Sequence, residues 1–202
     1  MKTIGKMLTA TLLLGCAQTA QANPIEFTAS LLGANETPPV VSAGTGTADV
    51  FYDPTAHTLQ VNVTFSGLTG TSTASHIHCC TALPFQTTTP TAMVATQTPT
   101  FPGFPLGVTN GVYNSPTFDL TLASSWNPAF ITNHGGTTAQ AEADLAAGLF
   151  GNKAYLNVHS SFAGGGEIRG VLVFVPEPLS LSLFGAGLVG VAALRRRRRQ
   201  SA

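Results

Sequence analysis

Residues 58–65, TLQVNVTF, decide the fold class of this chain. Polar and apolar side chains alternate at every position, which is the period of a β-strand with one buried and one exposed face. Residues 25–31, IEFTASL, alternate in the same way. Strands that bury only one face are typical of antiparallel sheets, so the sequence predicts an antiparallel β protein.

Other short segments have strand composition and are separated by turns rich in Gly, Pro and Asn: 47–52, 74–78, 117–122, 154–159 and 167–175. Asp53-Pro54 predicts a hairpin loop between two of the strands. Asn110-Gly111 predicts a two-residue hairpin between the residues on either side of it. About seven short strands with such turns indicate an all-β sandwich or barrel.

Two segments depart from the strand pattern. One short helix is predicted after Thr137, which can cap it with Gln140 three residues on, and Gly151 would end it. Residues 81–105 contain eight threonines and five prolines among 25 residues. Because proline lacks a backbone donor, we expect this stretch to be an ordered surface loop rather than a central strand.

The charge of the chain is unevenly distributed. Its 202 residues are enough for one domain with extra segments, and its formal net charge is zero. Between residues 23 and 175, however, there are two basic and eight acidic residues, a net charge of −6. This central part of the chain, here called the body, has too few cations to neutralise phosphates. Nucleic-acid binding is therefore excluded.

The first 22 residues have the features of a secretory signal peptide. Two lysines precede an apolar stretch at 7–15, and Ala20-Gln21-Ala22 offers small residues for cleavage. The mature chain would then begin at Asn23. An alternative is a lipoprotein cleavage box, Leu13-Leu14-Gly15-Cys16, which would leave Cys16 acylated at the new N-terminus.

The last 27 residues contain Pro176, Glu177 and Pro178, an apolar run at 179–194 and five arginines, in that order. This trio resembles the PEP-CTERM sorting signal. The resemblance implies cleavage by an exosortase and export toward the cell envelope or an exopolysaccharide matrix. A helix of 16 residues is ~24 Å long, slightly short of a bilayer core, and the arginines would hold its end in the cytoplasm. The alternative is an ordinary membrane anchor, 179–194, that is never cut.

Five segments in order resemble the CHRD domain, a module named after chordin and also found in bacterial exported proteins: 27–31, 35–39, 75–78, 154–159 and 166–170. Together they span about residues 25–174, which is nearly all of the body at 23–175. The body is therefore the CHRD-like domain. The resemblance implies an immunoglobulin-like or Greek-key β-sandwich. It implies little about activity.

The motif His76-Ile77-His78 carries a chemical hypothesis. On a strand, both imidazoles point to one face with Cα atoms roughly 6.6–7 Å apart, from which both can reach one metal ion. His159 lies on the polar face of its own strand and can join them. Such a site suits copper or zinc and is similar to the copper side of copper-zinc superoxide dismutase, although the dismutase's zinc-binding loop has no counterpart here.

A fourth ligand would come from His134, Cys79, Cys80 or water. The competing interpretation is that the histidines hydrogen-bond to carbonyls at strand ends and fix loops. Cys79 and Cys80 are the only cysteines left after signal cleavage, in a compartment that permits oxidation. They can form a vicinal disulfide, pair with another chain or offer thiolates to a metal.

Arg169 is one of two basic residues in the body, so we expect it to form a structural ion pair with Glu36 or Glu167. The sequence contains no nucleophile elbow, phosphate loop or paired acid–base carboxylates. The leading hypothesis is therefore an exported, non-catalytic binding or structural module. The alternative is a copper or zinc metalloprotein that sequesters metal or performs dismutase-like redox chemistry. Carbohydrate binding is disfavoured because Trp126 alone offers no stacking platform.

Overall fold

The computed structural model describes residues 24–85 and 90–176, together with Gly187. The predicted signal peptide, 1–22, lies outside the described residues, and so do Glu177, Pro178, the arginine tail and, apart from Gly187, the apolar run at 179–194. No helix within the described part of the chain is both long and apolar enough to cross a membrane.

The described chain forms nine strands and two α-helices. The strands are β1 (Ile25–Leu32), β2 (Thr45–Asp53), β3 (Thr58–Ser66), β4 (Ser72–His78), β5 (Gly111–Asn114), β6 (Phe118–Asp119), β7 (Tyr155–Ser160), β8 (Ile168–Val171) and β9 (Val173–Phe174). The helices are α1 (Pro128–Asn133) and α2 (Thr138–Phe150).

The alternating strands form one curled antiparallel sheet around a single apolar core. Its main order is β4-β7-β8-β1-β2-β3-β5, with β6 paired to β3 and β9 paired to β1. Phe27 and Leu31 of β1 and Val61 of β3 are fully buried, whereas the polar residues between them face outward. The predicted all-β class is confirmed, as a sheet of the sandwich or barrel-like type.

The first hairpin forms where Asp53-Pro54 predicts it. β2 and β3 pair from Asp53↔Thr58 to Thr45↔Ser66. The Asp53 carboxylate accepts hydrogen bonds from the amides of Thr55 and Ala56, which closes the turn.

The hairpin prediction at Asn110-Gly111 is wrong. The residues before it contact a different part of the chain, because Thr109 accepts a hydrogen bond from the Leu68 amide. Gly111 begins β5, which pairs with β3. A Cβ at Gly111 would lie 2.7 Å from the Phe65 ring, so glycine is required by this close approach rather than by a turn.

Residues 24–85 and 90–176 contain two α-helices, one more than the sequence predicts. Helix α2 begins as expected: the Thr137 hydroxyl accepts a hydrogen bond from the Gln140 amide, and Gly151 follows the last turn. Helix α1 is one and a half turns long. Asn127 caps it by accepting from the Ala129 amide, with Pro128 in the first position, where its missing N–H costs nothing.

Much of the segment predicted as a surface loop belongs to the core. Ala95, Phe101 and Phe104 are buried. The segment runs along the outer edge of β4, where the amides of Ala95 and Phe101 donate to the carbonyls of Ile77 and Ser75. Prolines are tolerated because only some of the segment's own amides need to pair with β4.

Truncating Phe101 to alanine should lower the free energy of unfolding by about 3–5 kcal/mol. Its ring is fully buried and stacks on Tyr113 and Phe118. Urea denaturation monitored by circular dichroism would measure the change. The matched control is Leu106→Ala, because Leu106 is half exposed and should change stability by only about 0.5 kcal/mol. Equal unfolding midpoints for the two variants would show that the segment is not part of the core.

Candidate metal centre

Strands β4 and β7 bring three histidines together. The two strands are antiparallel neighbours, with His76 opposite Asn157 and Ala74 opposite His159. One ring nitrogen from each of His76, His78 and His159 lies within 4.8 Å of the others, and no other such group of metal-binding side chains occurs among the described residues. The spacing of the sequence motif and the strand register are therefore sufficient to build the cluster.

Backbone carbonyls determine which nitrogen of each ring carries hydrogen. A carbonyl oxygen only accepts, so the ring nitrogen facing it must donate, and in a neutral imidazole the other nitrogen then holds a lone pair. Each histidine has one such partner: His76 Nε2 donates to Pro99, His78 Nδ1 to Ala92 and His159 Nδ1 to Gly164, at 2.6, 2.8 and 2.9 Å.

One nitrogen of each ring belongs to the cluster. His76 Nδ1 and His159 Nε2 are 3.2 Å apart, and in these tautomers neither carries a hydrogen. His78 Nε2 is buried, and the side chain of Asn157 lies next to the His78 ring. Two nitrogens bound to one tetrahedral metal at ~2.0–2.1 Å lie roughly 3.3–3.4 Å apart. The His76–His159 pair therefore has the donor spacing of a transition-metal site, and the carbonyls act as outer partners that orient the rings.

The rings are poor bases in this environment. Burial lowers the pKa of His76 and of His78 to about 4, and it also lowers the pKa of His159 below its usual value. A buried imidazolium loses its hydration, and neighbouring rings add repulsion. At neutral pH the three lone pairs are consequently available for a metal rather than occupied by protons.

A stacked layer lies behind His78. The Tyr155 ring stacks on His78 with centroids 4.8 Å apart, and the Arg169 guanidinium contacts the rings of Tyr155 and Phe85, at 4.8 and 5.0 Å from their centroids. Arg169 is fully buried, and its Nε lies 3.6 Å from the Glu36 carboxylate. This layer restrains the plane of the His78 ring.

The acidic residues near Arg169 have different roles. Burial raises the pKa of Glu36 to about 7, although the charge of Arg169 opposes the shift. Glu167 does not pair with Arg169 in this structure. Its buried carboxylate accepts hydrogen bonds from Ser160, Ser42, Thr69 and Gly70. Burial acts to raise the pKa of Glu167, but these hydrogen bonds outweigh it and hold the pKa below its ordinary value.

The three further ligand candidates lie elsewhere, around Asp144 of helix α2. Cys79 and Cys80 are joined by a disulfide, so neither sulfur is a thiolate, and Cys80 Sγ lies 3.3 Å from the Asp144 carbonyl oxygen. His134 Nδ1 bonds to the Asp144 carboxylate at 2.8 Å. Cys79, Cys80 and His134 thus fall outside the histidine cluster.

Some parts of the site have no simple sequence signal. The carbonyls that orient the rings are backbone atoms, and two of them come from the Thr/Pro-rich segment. Asn157, opposite His76, is buried although it alternates like a polar outward residue. A buried asparagine beside a His-x-His strand could only be inferred once the pairing of β4 and β7 was known.

Comparison with known protein families identifies the domain. The family model for the CHRD domain matches residues 27–172. The chain belongs to the CHRD-domain family. This confirms the resemblance seen in the sequence and makes the body a CHRD domain, a module of the extracellular binding or structural type. No curated protein and no solved structure matches the chain.

The low pKa values predict an acid-sensitive fold in the metal-free protein. Unfolded histidines bind protons near pH 6.5, whereas His76 and His78 bind them only near pH 4. Between these values the unfolded chain binds more protons, so stability should fall as pH drops from about 6.5 to about 4. Thermal unfolding across this range would measure it. The double variant His76→Gln, His78→Gln should show a flatter profile, and an identical profile would contradict the assignment.

Proposed function

We propose that this chain is an exported CHRD-domain protein whose body binds one copper or zinc ion through His76, His78 and His159. The observation that carries the proposal is the convergence of one ring nitrogen from each of three histidines, with His76 Nδ1 and His159 Nε2 only 3.2 Å apart while the other nitrogens of these two rings donate to carbonyls. In the competing interpretation the histidines serve only to fix loops. That role accounts for the three donating nitrogens, but it leaves the lone pairs of His76 Nδ1 and His159 Nε2 facing each other at 3.2 Å.

The donor set favours borderline metals. Neutral imidazole suits zinc and copper, whereas calcium and magnesium require oxygen ligands. The cluster contains no carboxylate. Three protein ligands leave a further position for water, and divalent copper binds such nitrogen sites more tightly than zinc. Copper is therefore the preferred ion.

The burial of the site supports retention of the metal rather than turnover. Only 6% of His76 and 7% of His78 is exposed. A substrate would have to pass the segment that covers β4, so sequestration or storage fits the geometry better than dismutase-like redox chemistry. His159 is the most accessible of the three and marks the route of metal entry.

The two ends of the chain support export. Residues 1–22 carry the signal-peptide pattern, and residues 176–202 carry the motif, apolar run and arginines of the PEP-CTERM signal. In this proposal an exosortase processes the C-terminal end, and the acidic body is delivered to the cell envelope or an exopolysaccharide matrix. There it would bind metal without catalysing a reaction.

Purified protein freed of metal by a chelator should bind one Cu²⁺ or Zn²⁺ ion with micromolar or tighter affinity. Replacing His159 with alanine should weaken binding by more than the roughly 10–100-fold that loss of an outer partner costs. The control is His57→Ala, because His57 bonds to Glu142 outside the cluster and should leave binding unchanged. Isothermal titration would measure both, with circular dichroism to verify folding. Absence of saturable one-to-one binding would refute the metal site.

The export proposal predicts the mass of the mature protein. Residues 1–22 should be missing because of signal cleavage, and the arginines at 195–199 should be missing because of processing near Pro176. Intact-mass spectrometry of the exported form would measure this. If the measured mass still includes these arginines, the C-terminal end is not processed, and the segment is a simple membrane anchor.

A further inference from the structure

A second group of reactive side chains surrounds a cleft of about 400 Å³ beside helix α2. None of the three clustered histidines lines it. The lining includes the outer cysteine of the vicinal disulfide, a histidine, a carboxylate and a lysine: Cys80, His134, Asp144 and Lys153. The cleft therefore combines an electrophilic sulfur with groups that can bind and deprotonate an incoming molecule.

The two sulfurs of the disulfide differ in accessibility. Cys79 is fully buried, whereas Cys80 is partly exposed and lines the cleft. Gly148 of α2 packs directly on the disulfide, because a Cβ there would lie 2.2 Å from Cys79 Sγ and 2.7 Å from Cys80 Sγ. A molecule that enters the cleft consequently meets Cys80 Sγ and not Cys79 Sγ.

The polar groups of the cleft suit an anionic thiol. The Asp144 carboxylate accepts a hydrogen bond from His134 Nδ1, which leaves His134 Nε2 as the proton acceptor. The His134 ring is further held by stacking on Phe130, 3.9 Å between centroids. Lys153 is one of only two basic residues in a body with a net charge of −6. Because it lines the same cleft as Cys80, it supplies positive charge that can stabilise a thiolate there.

We propose that this cleft is a thiol–disulfide exchange site that accepts small anionic thiols. The thiol proton passes to His134 Nε2, and the thiolate attacks Cys80 Sγ. The bond between Cys79 and Cys80 breaks, and Cys79 Sγ leaves with the electron pair and takes up a proton. A second thiol molecule attacks the mixed disulfide and releases Cys80. The protein disulfide is reduced by two electrons, and two thiols are oxidised to one small disulfide.

The direct test follows the attacked sulfur. Metal-free, oxidised protein is mixed with glutathione, quenched with acid, alkylated and digested for mass spectrometry. We expect glutathione on Cys80 and the alkyl label on Cys79 in the first intermediate. Glutathione on Cys79, or no reduction of the folded protein, would overturn the proposal.

Variants test the roles of the neighbouring groups. His134→Gln and Lys153→Met should each slow exchange with glutathione at least about tenfold, the lower range of general acid–base and charge effects. Thr138→Ala, on the same helix but not lining the cleft, should react at the unsubstituted rate.

A comparison of an anionic with a cationic thiol distinguishes a direct electrostatic role of Lys153 from a structural one. Lys153→Met should slow glutathione more than it slows the cationic thiol cysteamine, because a cation beside the sulfur attracts only the anion. Equal slowing of both thiols, or unchanged rates in both cleft variants, would show that exposure alone governs the reaction. These readouts are independent of metal binding, since the protein is metal-free throughout.

Discussion

The outer edge of β4 is the constraint on which the rest of the site depends. This strand has β7 on one side only, so its other edge must find partners for its backbone groups. Threonine hydroxyls accept from its outward amides: Thr100 from Ser75 and Thr96 from Ile77, both at 3.0 Å. The Thr/Pro-rich segment within 81–105 covers this edge and is called the covering segment. Its amides donate to the carbonyls of β4. The edge is closed by alternating side-chain and backbone hydrogen bonds, which explains a segment rich in both threonine and proline.

The same closure fixes the tautomers of two of the clustered histidines. Pro99 and Ala92 lie on the covering segment, and their carbonyls accept from His76 and His78. The third carbonyl, of Gly164, lies in the loop between β7 and β8. The buried Glu167 carboxylate holds the start of that loop through Ser160. Two unrelated loops thereby set the tautomers of one cluster, and the sheet supplies only the direction of the rings.

The features that the sequence could predict are mainly those in which side-chain types repeat at regular intervals. Alternation located β1 and β3, and the spacing of His76 and His78 placed both rings on one face. Helix α2 has a capping pair and a glycine at its end, which are local signals of its two boundaries. The covering segment had no period, because its threonines pair through side chains to a strand about 20 residues away. Composition alone indicated a surface loop, and the burial of Phe101 shows why that interpretation was wrong.

The helix that was not predicted and the hairpin that was predicted but does not form have opposite causes. Asn127-Pro128 is a cap followed by a first-position proline, a signal that was present but precedes only six helical residues. Asn110-Gly111 had a strong turn signal, but tertiary contacts of Gly111 with Phe65 overrode it. Local sequence signals are therefore informative where the backbone groups form hydrogen bonds within the same segment. They fail where the backbone groups are hydrogen-bonded to distant strands.

The buried charge of Arg169 is compensated locally, close to the histidine cluster. Arg169 has Glu36 as a partly compensating carboxylate and two aromatic faces, so its burial does not leave an isolated cation. The Tyr155 ring contacts both the guanidinium and the His78 ring. Burial lowers the pKa of all three clustered histidines, so the imidazoles are neutral at pH 7 although the body around them carries a net charge of −6. That net charge attracts cations to the body from solution.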